Sequence, residues 1–403
     1  MFFSKKYFSV WLYFLKLPFK RWAYELIDQS VLHFVRPGNA GGVLIFRLDL
    51  LGDYLMCRPF FRALRAEVAF EGRKFSFAGN QMLQELAPEL DADVFDAYIW
   101  IDRSRFINSI GYRFRMLSEI RRKGFEVFIQ PAHTRQYWLE SVARVSGAKD
   151  RITSEAVGKY MSDLEQRLAD SLYSQILPTS ALPQFEFYRN RAFFAQLAPE
   201  AALVFTLREN RFEQQQNRQN LILVAPGAST EERQWPEERF VQLLDELAAV
   251  YPSFAFGLTG AGSEQDLCSR IANRCLVAQP EVYAGRLSLL ETMELLASAC
   301  LLVSNESGPV HMAATTGTAC VCISNGNHFG RWNPYPLELT SSIFTCYPDA
   351  FYPLELQLAS LIEKYHQRSD IPAAEVCYDR VKQACFLLLD ADKEGKKRRA
   401  DSE

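Results

Sequence analysis

The chain has 403 residues, of which 48% are hydrophobic and 23% charged, and its formal net charge is −3. This length suffices for about two α/β domains. The near-neutral charge excludes a global basic field for duplex nucleic acid, so no nucleic-acid partner is expected. The nine cysteines are an odd number without a C-x-x-C pair. We expect reduced, buried thiols and no metal site.

The first 40 residues form a basic and aromatic extension. Their apolar run from Tyr7 to Leu15 is shorter than the roughly 18 residues of a spanning helix, and no small-residue cleavage site follows it. Trp11 and Trp22 among lysines are typical of an interfacial helix on anionic lipid. The alternative is a helix pair that packs on the body of the protein or on another subunit.

After a break at 37–42, strands alternate with helices, which predicts a mainly parallel sheet with helices on both faces. The predicted strands are 43–46, 74–78, 97–101 and 127–130, and the predicted helices are 53–67, 81–87, 112–123 and 136–146.

The polar stretch 211–220 interrupts this alternation and is interpreted as an interdomain linker, after which a second alternation begins. Its predicted strands are 221–225, 254–259, 275–277, 300–304 and 319–323, and its predicted helices are 236–249, 263–273, 288–298, 309–316, 353–366 and 372–389. We therefore expect an extension at 1–40, two domains at 41–215 and 216–390, and a charged tail at 391–403 that is disordered from Asp392.

Two segments of the second half read as a strand, a glycine-containing turn and a helix: Leu221–Pro236 and Val303–Ala314. Helix N-termini offer unpaired N–H groups and a partial positive charge. Two such turns side by side predict a pocket for a diphosphate.

Three blocks of the chain resemble glycosyltransferase family 9, the lipopolysaccharide heptosyltransferases, and the likeness extends from about residue 42 to 390. The blocks are Val43–Pro59, Pro226–Pro236 and Leu289–His311, the last followed by Gly330–Tyr335. The resemblance implies a GT-B fold, in which two Rossmann-like α/β domains face each other across a cleft, with the acceptor on the first domain and the nucleotide sugar on the second. It also implies an inverting, metal-independent transfer of heptose from ADP-heptose to a lipopolysaccharide core sugar. ADP-heptose would be a substrate of this reaction, and no cofactor is expected.

Asp53 matches the catalytic base of the family. An inverting transfer needs a base near the acceptor hydroxyl, on the side opposite the leaving diphosphate. The structural alternative is a helix N-cap, a position at which Asp is favoured. Asp49 is the rival base.

The resemblance places donor binding in the two turns of the second half. Ser229 and Arg233 would hold the diphosphate, and the arginine would stabilise the charge that grows on it. Ser307, Gly308 and His311 would approach the same ligand, and Glu306, where the family more often has Asp, would bind a sugar hydroxyl. The alternatives are a solvated Arg233 paired with Glu231 or Glu232 and a His311 that is only a core residue.

Basic residues of the first half are candidates for binding acidic groups of the acceptor. These are Arg47, Arg58 and Arg135. The cluster Arg113, Arg115 and Arg121–Lys123 could bind the acceptor or anionic lipid, although basic surface residues are usually only solvated.

The predicted protein is a cytoplasmic glycosyltransferase, peripheral on the inner membrane of a Gram-negative bacterium, that acts on a lipid-linked glycan. Besides Glu306, three features depart from the family pattern. Arg233 stands where Lys is common, Ser324–His328 replaces the usual turn after the strand at 319–323, and Gly260–Gly262 replaces a loop that often helps to hold the nucleoside. Three alternatives therefore stay open: a relative that uses another nucleotide sugar, a non-catalytic glycan-binding protein, and an epimerase with the same fold.

Overall fold

A computed structural model describes residues 5–39, 41–156, 161–179, 184–213 and 218–400, and describes their side chains except at 5–19, 213, 355 and 392–400. The chain divides into two compact units. The first comprises Met1–Asp49, Phe61–Thr179 and Phe193–Glu200, and the second Leu50–Phe60, Ser180–Ala192 and Ala201–Glu403. Each unit contains one parallel sheet, as the alternation of strands and helices predicts.

The sheet of the first unit has six strands in the order β3-β2-β1-β4-β5-β6, all paired in parallel. They are β1 (Val43–Arg47), β2 (Phe75–Asn80), β3 (Ala97–Ile101), β4 (Val127–Gln130), β5 (Asp150–Ser154) and β6 (Gln175–Leu177). β1 and β4 are buried throughout and are readily seen in the sequence. β5 and β6 were not predicted, because β5 begins with charged residues and β6 has only three residues.

The sheet of the second unit also has six parallel strands, in the order β12-β11-β10-β7-β8-β9. They are β7 (Gln219–Ala225), β8 (Ala255–Leu258), β9 (Glu281–Val282), β10 (Ala299–Asn305), β11 (Cys320–Ile323) and β12 (Ile343–Cys346). The strand predicted at 275–277 is wrong. The backbone N–H groups of these residues do not join the sheet, since the Asp245 carboxylate accepts hydrogen bonds from Leu276, Val277 and Ala278 at 2.9–3.1 Å.

The helices of the described residues include four that were not predicted, at 103–108, 163–170, 186–194 and 210–213. In chain order, the helices are α1 (Lys5–Phe34), α2 (Leu51–Cys57), α3 (Pro59–Ala66), α4 (Ala87–Leu90), α5 (Arg103–Asn108), α6 (Ile110–Lys123), α7 (Tyr137–Val145), α8 (Asp163–Asp170), α9 (Glu186–Phe194), α10 (Asn210–Glu213), α11 (Glu237–Val250), α12 (Gln265–Arg274), α13 (Leu289–Ser298), α14 (Gly308–Thr316), α15 (Leu354–Tyr365) and α16 (Tyr378–Ala400). None of them has a stretch long and apolar enough to cross a bilayer.

Three predicted helices differ from the structure. The helix expected over 53–67 is two helices, α2 and α3, because Pro59 has no N–H to continue the first. The helix expected over 81–87 is a short 3₁₀ turn at Gln81–Leu83 followed by α4. α16 continues to Ala400, so the disorder predicted from Asp392 is wrong for residues 392–400. This segment is rich in Lys, Glu, Arg and Ala, which are good helix formers. Residues 401–403 lie outside the described residues.

The predicted domain boundaries differ from the two compact units. The segments 50–60 and 180–192 belong to the second unit although they interrupt the first one in sequence. Of the predicted linker 211–220, residues 214–217 lie outside the described residues, and β7 begins at Gln219. The boundary predicted at 215–216 therefore stays a prediction.

The second half of α1 is an integral part of the first unit. Ile27 and Val31, with Val35 directly after the helix, are buried in the same apolar core as residues of β1 and α6. Asp28 is fully buried and forms an ion pair with Arg113 of α6, with 3.0 Å between Nη2 and Oδ2. Arg113 was predicted to bind the acceptor or anionic lipid at the surface. That prediction is wrong, because its guanidinium is buried and paired with the Asp28 carboxylate.

The cysteines behave as small apolar residues. All nine are free thiols, and eight are buried. This agrees with the reduced state expected from their spacing.

Candidate functional site

The two predicted turns lie side by side in the second unit. β7 and β10 are neighbouring parallel strands, so their carboxyl ends meet at one edge of the sheet. Asn305, the last residue of β10, is fully buried. Its side-chain amide donates to the carbonyl of Pro226 at 2.6 Å and accepts from the N–H of Trp235 at 3.1 Å. Asn305 thus joins the two turns, a role that its position in a resemblance block did not reveal.

Arg233 brings residues of both turns together. Its Nη1 donates to Ser229 Oγ at 3.2 Å, and its Nη2 donates to the backbone carbonyl of Glu306 at 2.8 Å. The Glu306 carboxylate is 3.8 Å from the same nitrogen. Ser229, Arg233 and Glu306, which the resemblance implicates in donor binding, are therefore one cluster.

A cavity of about 460 Å³ opens beside this cluster. Serines from both turns contribute to its wall. Its lining residues are Ala228, Ser229, Gln234, Ser263, Glu264, Leu267, Arg270 and Ser307. The volume lies within the range of small-molecule sites, about 300–1,000 Å³.

Glu264, which lines the cavity and was not predicted as a site residue, lies against two glycines. A Cβ on Gly227 would lie 1.7 Å from Glu264 Oε1, and one on Gly260 would lie 2.6 Å from Oε2. The Ala261 N–H donates to Oε2 at 2.7 Å and fixes the carboxylate there. The cavity therefore offers an acceptor for ligand hydroxyl groups. Among the described residues, no three His, Cys, Asp or Glu side chains are grouped to hold a metal ion.

Glu306 is a buried carboxyl group whose environment opposes its charge. Burial raises its pKa, while the Arg233 cation and a hydrogen bond from Ser324 Oγ act in the opposite direction. Ser324 Oγ accepts the Gly326 N–H at 3.0 Å, so its proton is directed to Glu306. Ser324 begins the segment that departs from the family pattern, and this contact could not be read from the sequence.

His311 is both a core residue and a neighbour of the predicted donor site. Its Nδ1 lies 2.6 Å from the Tyr335 hydroxyl, and its ring meets the ring of Trp332 edge-on at 5.5 Å. Burial and the Arg233 cation lower its pKa to about 4. His311 is therefore a neutral imidazole near pH 7 that can form hydrogen bonds but cannot neutralise a diphosphate.

The start of α2 packs against the start of α14, which places Asp53 next to the second turn. A Cβ on Gly52 would lie 2.6 Å from His311 Cδ2, and one on Gly308 would lie 3.4 Å from Leu51 Cδ2. Only glycine at 52 allows this approach. Asp53, the next residue, is half-buried in the first turn of α2. The N-cap of α2 is Leu50, so the interpretation of Asp53 as the N-cap is wrong.

The three arginines predicted to bind the acceptor have buried side chains. Arg47 Nε lies 2.9 Å from Oδ2 of Asp49, the rival candidate for the catalytic base. Arg58 pairs with Glu209, and Arg135 lies between the carboxylates of Glu140 and Asp170. This is the geometry of structural ion pairs, and acceptor binding by these arginines stays a prediction.

Lowering the pH is expected to destabilise the second unit through His311. The unfolded imidazole takes up a proton near pH 6.5, whereas the folded one does so near pH 4. Stability is therefore lost as the pH falls through this window, by about 3 kcal/mol between pH 7 and pH 4. Urea unfolding at both pH values should show this difference in the wild type and a smaller one in His311→Gln. Equal pH dependence in the two proteins would contradict the buried neutral imidazole.

Comparisons with known proteins agree with this architecture. Residues 189–350 match the sequence model of glycosyltransferase family 9 (heptosyltransferase). A family 9 glycosyl transferase from Veillonella parvula superposes with a TM-score of 0.65 at 16% identity, over 88% of this chain and 99% of that one. No curated protein matches the sequence.

Two enzymes of E. coli are similar in structure as well. ADP-heptose lipopolysaccharide heptosyltransferase II has a TM-score of 0.63 at 16% identity, over 87% of this chain and 99% of its own. Heptosyltransferase WaaC with ADP has a TM-score of 0.59 at 18% identity, over 86% of this chain and 99% of its own. At such identities the likeness shows the fold, which is GT-B with two parallel-sheet α/β domains. The resemblance read from the sequence is thereby confirmed, with residues 189–350 of this chain matching the model of glycosyltransferase family 9.

Proposed function

We propose that this protein is an inverting, metal-independent glycosyltransferase that moves heptose from ADP-heptose to a lipid-linked core glycan. The observation that carries the proposal is the cluster of Arg233, Ser229 and Glu306 beside the cavity of the second unit. A cation held by two turns at the carboxyl edge of a parallel sheet suits a nucleotide diphosphate.

The proposed reaction is a single displacement at the anomeric carbon of the donor. Asp53 takes the proton of the acceptor hydroxyl as the oxygen bonds to that carbon, and the bond from the carbon to the diphosphate breaks. The nucleotide diphosphate leaves with the bonding electrons, and Arg233 stabilises its growing charge. Because the acceptor enters opposite the leaving group, the configuration inverts. The neutral His311 contributes a hydrogen bond rather than charge.

Arg233→Ala is expected to weaken donor binding and lower kcat by about a hundredfold, since the charge of the leaving diphosphate loses its cationic partner. Arg233→Lys keeps the charge but loses the planar fork that contacts Ser229 and Glu306 together, so we expect an intermediate value. Calorimetric titration with ADP and steady-state turnover would measure both effects. Unchanged ADP affinity in Arg233→Ala would remove Arg233 from the site.

A second candidate is a family relative that uses another nucleotide sugar. It is favoured by the longer Glu306 side chain, which Ser324 of the divergent segment holds in place. Turnover assays with a panel of nucleotide sugars would decide between the two. Transfer from ADP-heptose supports the first candidate, and robust transfer from a UDP-sugar alone would reject it.

The same assays address the two remaining alternatives. A product that forms without acceptor would indicate an epimerase. Absence of transfer from every donor, together with glycan binding that Asp53→Ala leaves unchanged, would indicate a non-catalytic glycan-binding protein.

We also propose that the protein acts at the cytoplasmic face of the inner membrane of a Gram-negative bacterium, where a lipid-linked acceptor is anchored. The support is the basic and aromatic composition of the first 40 residues. Flotation of the protein with lipid vesicles tests this location.

A further inference from the structure

We propose that the first unit binds an anionic phospholipid bilayer through a surface formed by α1 and α8, here called the α1–α8 face and defined by Trp22, Leu26, Leu164 and Leu168. This deepens the proposed function, on which it rests, by naming residues of the first 40, and two of α8 beyond them, that contact lipid. A phospholipid acyl chain would occupy the groove between the two helices.

The four large apolar side chains of the α1–α8 face are strongly exposed to solvent. Trp22 is 70% exposed and Leu26 65%, while Leu164 is 53% and Leu168 41% exposed. Each pair is four residues apart, so each forms a ridge along one side of its helix. Single exposed apolar residues are ordinary, whereas ridges on neighbouring helices mark an interaction site.

A groove of about 560 Å³ lies between the ridges. Four aromatic rings and two leucines contribute to its wall, and its charged residues are largely paired with one another. The lining residues are Arg21, Trp22, Tyr24, Glu25, Asp28, Arg113, Tyr137, Trp138, Ser141, Arg144, Leu168, Ser171 and Leu172.

The charges that line the groove are compensated by ion pairs, so an apolar chain can lie against its rings and leucines without facing an unpaired charge. Asp28 pairs with Arg113 within the core, and Glu25 pairs with Arg144 at 3.0 Å. Arg21 lies at the mouth, where its guanidinium stacks over the Tyr137 ring at 4.6 Å. Its 3.8 Å separation from Glu165 is a loose contact that a lipid phosphate can replace.

The charge of the adjoining chain selects an anionic bilayer as the occupant. Before Glu25 the sequence contains Lys5, Lys6, Lys16, Lys20 and Arg21 and no acidic residue. Each basic residue near an anionic leaflet adds to the electrostatic attraction. α1 carries these residues directly into the Trp22–Leu26 ridge as one helix. A protein partner with an apolar surface would satisfy the ridges but would not require this charge.

The experiment compares vesicle binding of the full chain with that of two double variants. Leu164→Ser/Leu168→Ser changes only α8 and leaves the basic extension intact. Leu276→Ser/Leu356→Ser alters two strongly exposed leucines of the second unit and is the matched control. In flotation with vesicles of phosphatidylglycerol and phosphatidylethanolamine, we expect the first variant to bind about tenfold more weakly and the control to match the wild type.

A second measurement tests the groove itself. Phospholipids brominated along the acyl chain should quench tryptophan fluorescence of the wild type, and Trp22→Phe should lose a large part of that quenching. Equal flotation of the α8 variant and the wild type, or equal binding to phosphatidylcholine and phosphatidylglycerol vesicles, would overturn the proposal. So would quenching that is unchanged in Trp22→Phe.

Calorimetric titration of the same samples with ADP separates this inference from the proposed function. ADP binding reports the site in the second unit, and an unchanged urea unfolding transition of the α8 variant shows that the first unit is folded. If the wild type binds ADP but binds phosphatidylcholine and phosphatidylglycerol vesicles equally, only the proposed lipid contact of the α1–α8 face is rejected. Lipid binding without ADP binding rejects the proposed function alone.

Discussion

Asp53→Asn is expected to lower kcat by two to four orders of magnitude while the affinity for the nucleotide sugar changes little. General-base catalysis contributes about 10²–10⁴ to such rates. Asparagine has the size of aspartate but cannot take up the acceptor proton. Steady-state kinetics, together with calorimetric titration of the donor, would separate the chemical step from binding.

The structure favours a selective effect of this substitution. Asp53 is half-buried in the first turn of α2 and is not its N-cap, so the change removes no cap hydrogen bond. The contact that places α2 beside the second turn comes from Gly52 against the His311 ring. Asparagine at 53 leaves that contact in place, and the donor site should stay assembled.

Asp49→Asn is the matched control for the catalytic assignment. Asp49 is the rival base and belongs to the first unit, where Arg47 holds its carboxylate at 2.9 Å. We expect this variant to lose far less activity than Asp53→Asn. The opposite order would transfer the role of base to Asp49, and equal small losses would reject both.

Asp28→Ala is expected to lower the free energy of unfolding of the first unit by about 3–5 kcal/mol. Removing one partner of a buried ion pair leaves the other charge uncompensated. Arg113 would keep its hydrogen bonds to the Trp138 carbonyl and Ser141 Oγ, at 3.0 and 2.9 Å. It would also keep the rings of Tyr24 and Phe106 at 4.6 and 4.7 Å, but no countercharge would replace the carboxylate. Urea unfolding would measure the loss.

The double variant Asp28→Leu/Arg113→Met provides the control. Exchanging both members of a buried pair for apolar residues of similar volume is often nearly neutral. We therefore expect the double variant to recover most of the stability that Asp28→Ala loses. A single variant as stable as the wild type would show that α1 is not anchored by this pair.

This anchoring has a consequence for experiments on the N-terminal extension. Deletion of the first 40 residues would remove the buried Ile27, Val31 and Val35 together with Asp28. The first unit would then lose part of its core, and a loss of vesicle binding would report unfolding as well as lipid contact. Substitutions on α8 avoid this ambiguity.

Local patterns in the sequence predicted most of the architecture. Strands such as 97–101 and 127–130 were predicted with the bounds that the structure has, because continuous apolar runs between turn residues mark buried parallel strands. Weakly apolar or very short strands escaped for the same reason: β5 begins with charged residues, and β9 has two residues. Their pairing depends on neighbours that are distant in sequence.

The blocks of the resemblance located the candidate site but not its internal contacts. Ser229, Arg233 and Glu306 were implicated together, and the structure shows that Arg233 joins them. Asn305 and Ser324, which hold the turns and the carboxylate in place, carry no motif of their own. An Asn or Ser is read as a turn residue until its partner in space is known.

The sequence by itself determined the two successive alternations of strands and helices and the two glycine-containing turns, because periodicity and turn chemistry are local properties of the chain. It also carried the resemblance to glycosyltransferase family 9. Only the tertiary structure decided which charged residues are exposed and which are buried in ion pairs. Burial of Arg113 against Asp28 and of Arg135 against Glu140 turned apparent surface cations into structural ion pairs. The packing of distant segments also brings Gly52 against His311 and places α1 beside α8. Burial depends on which distant segments pack together, and no local pattern encodes that.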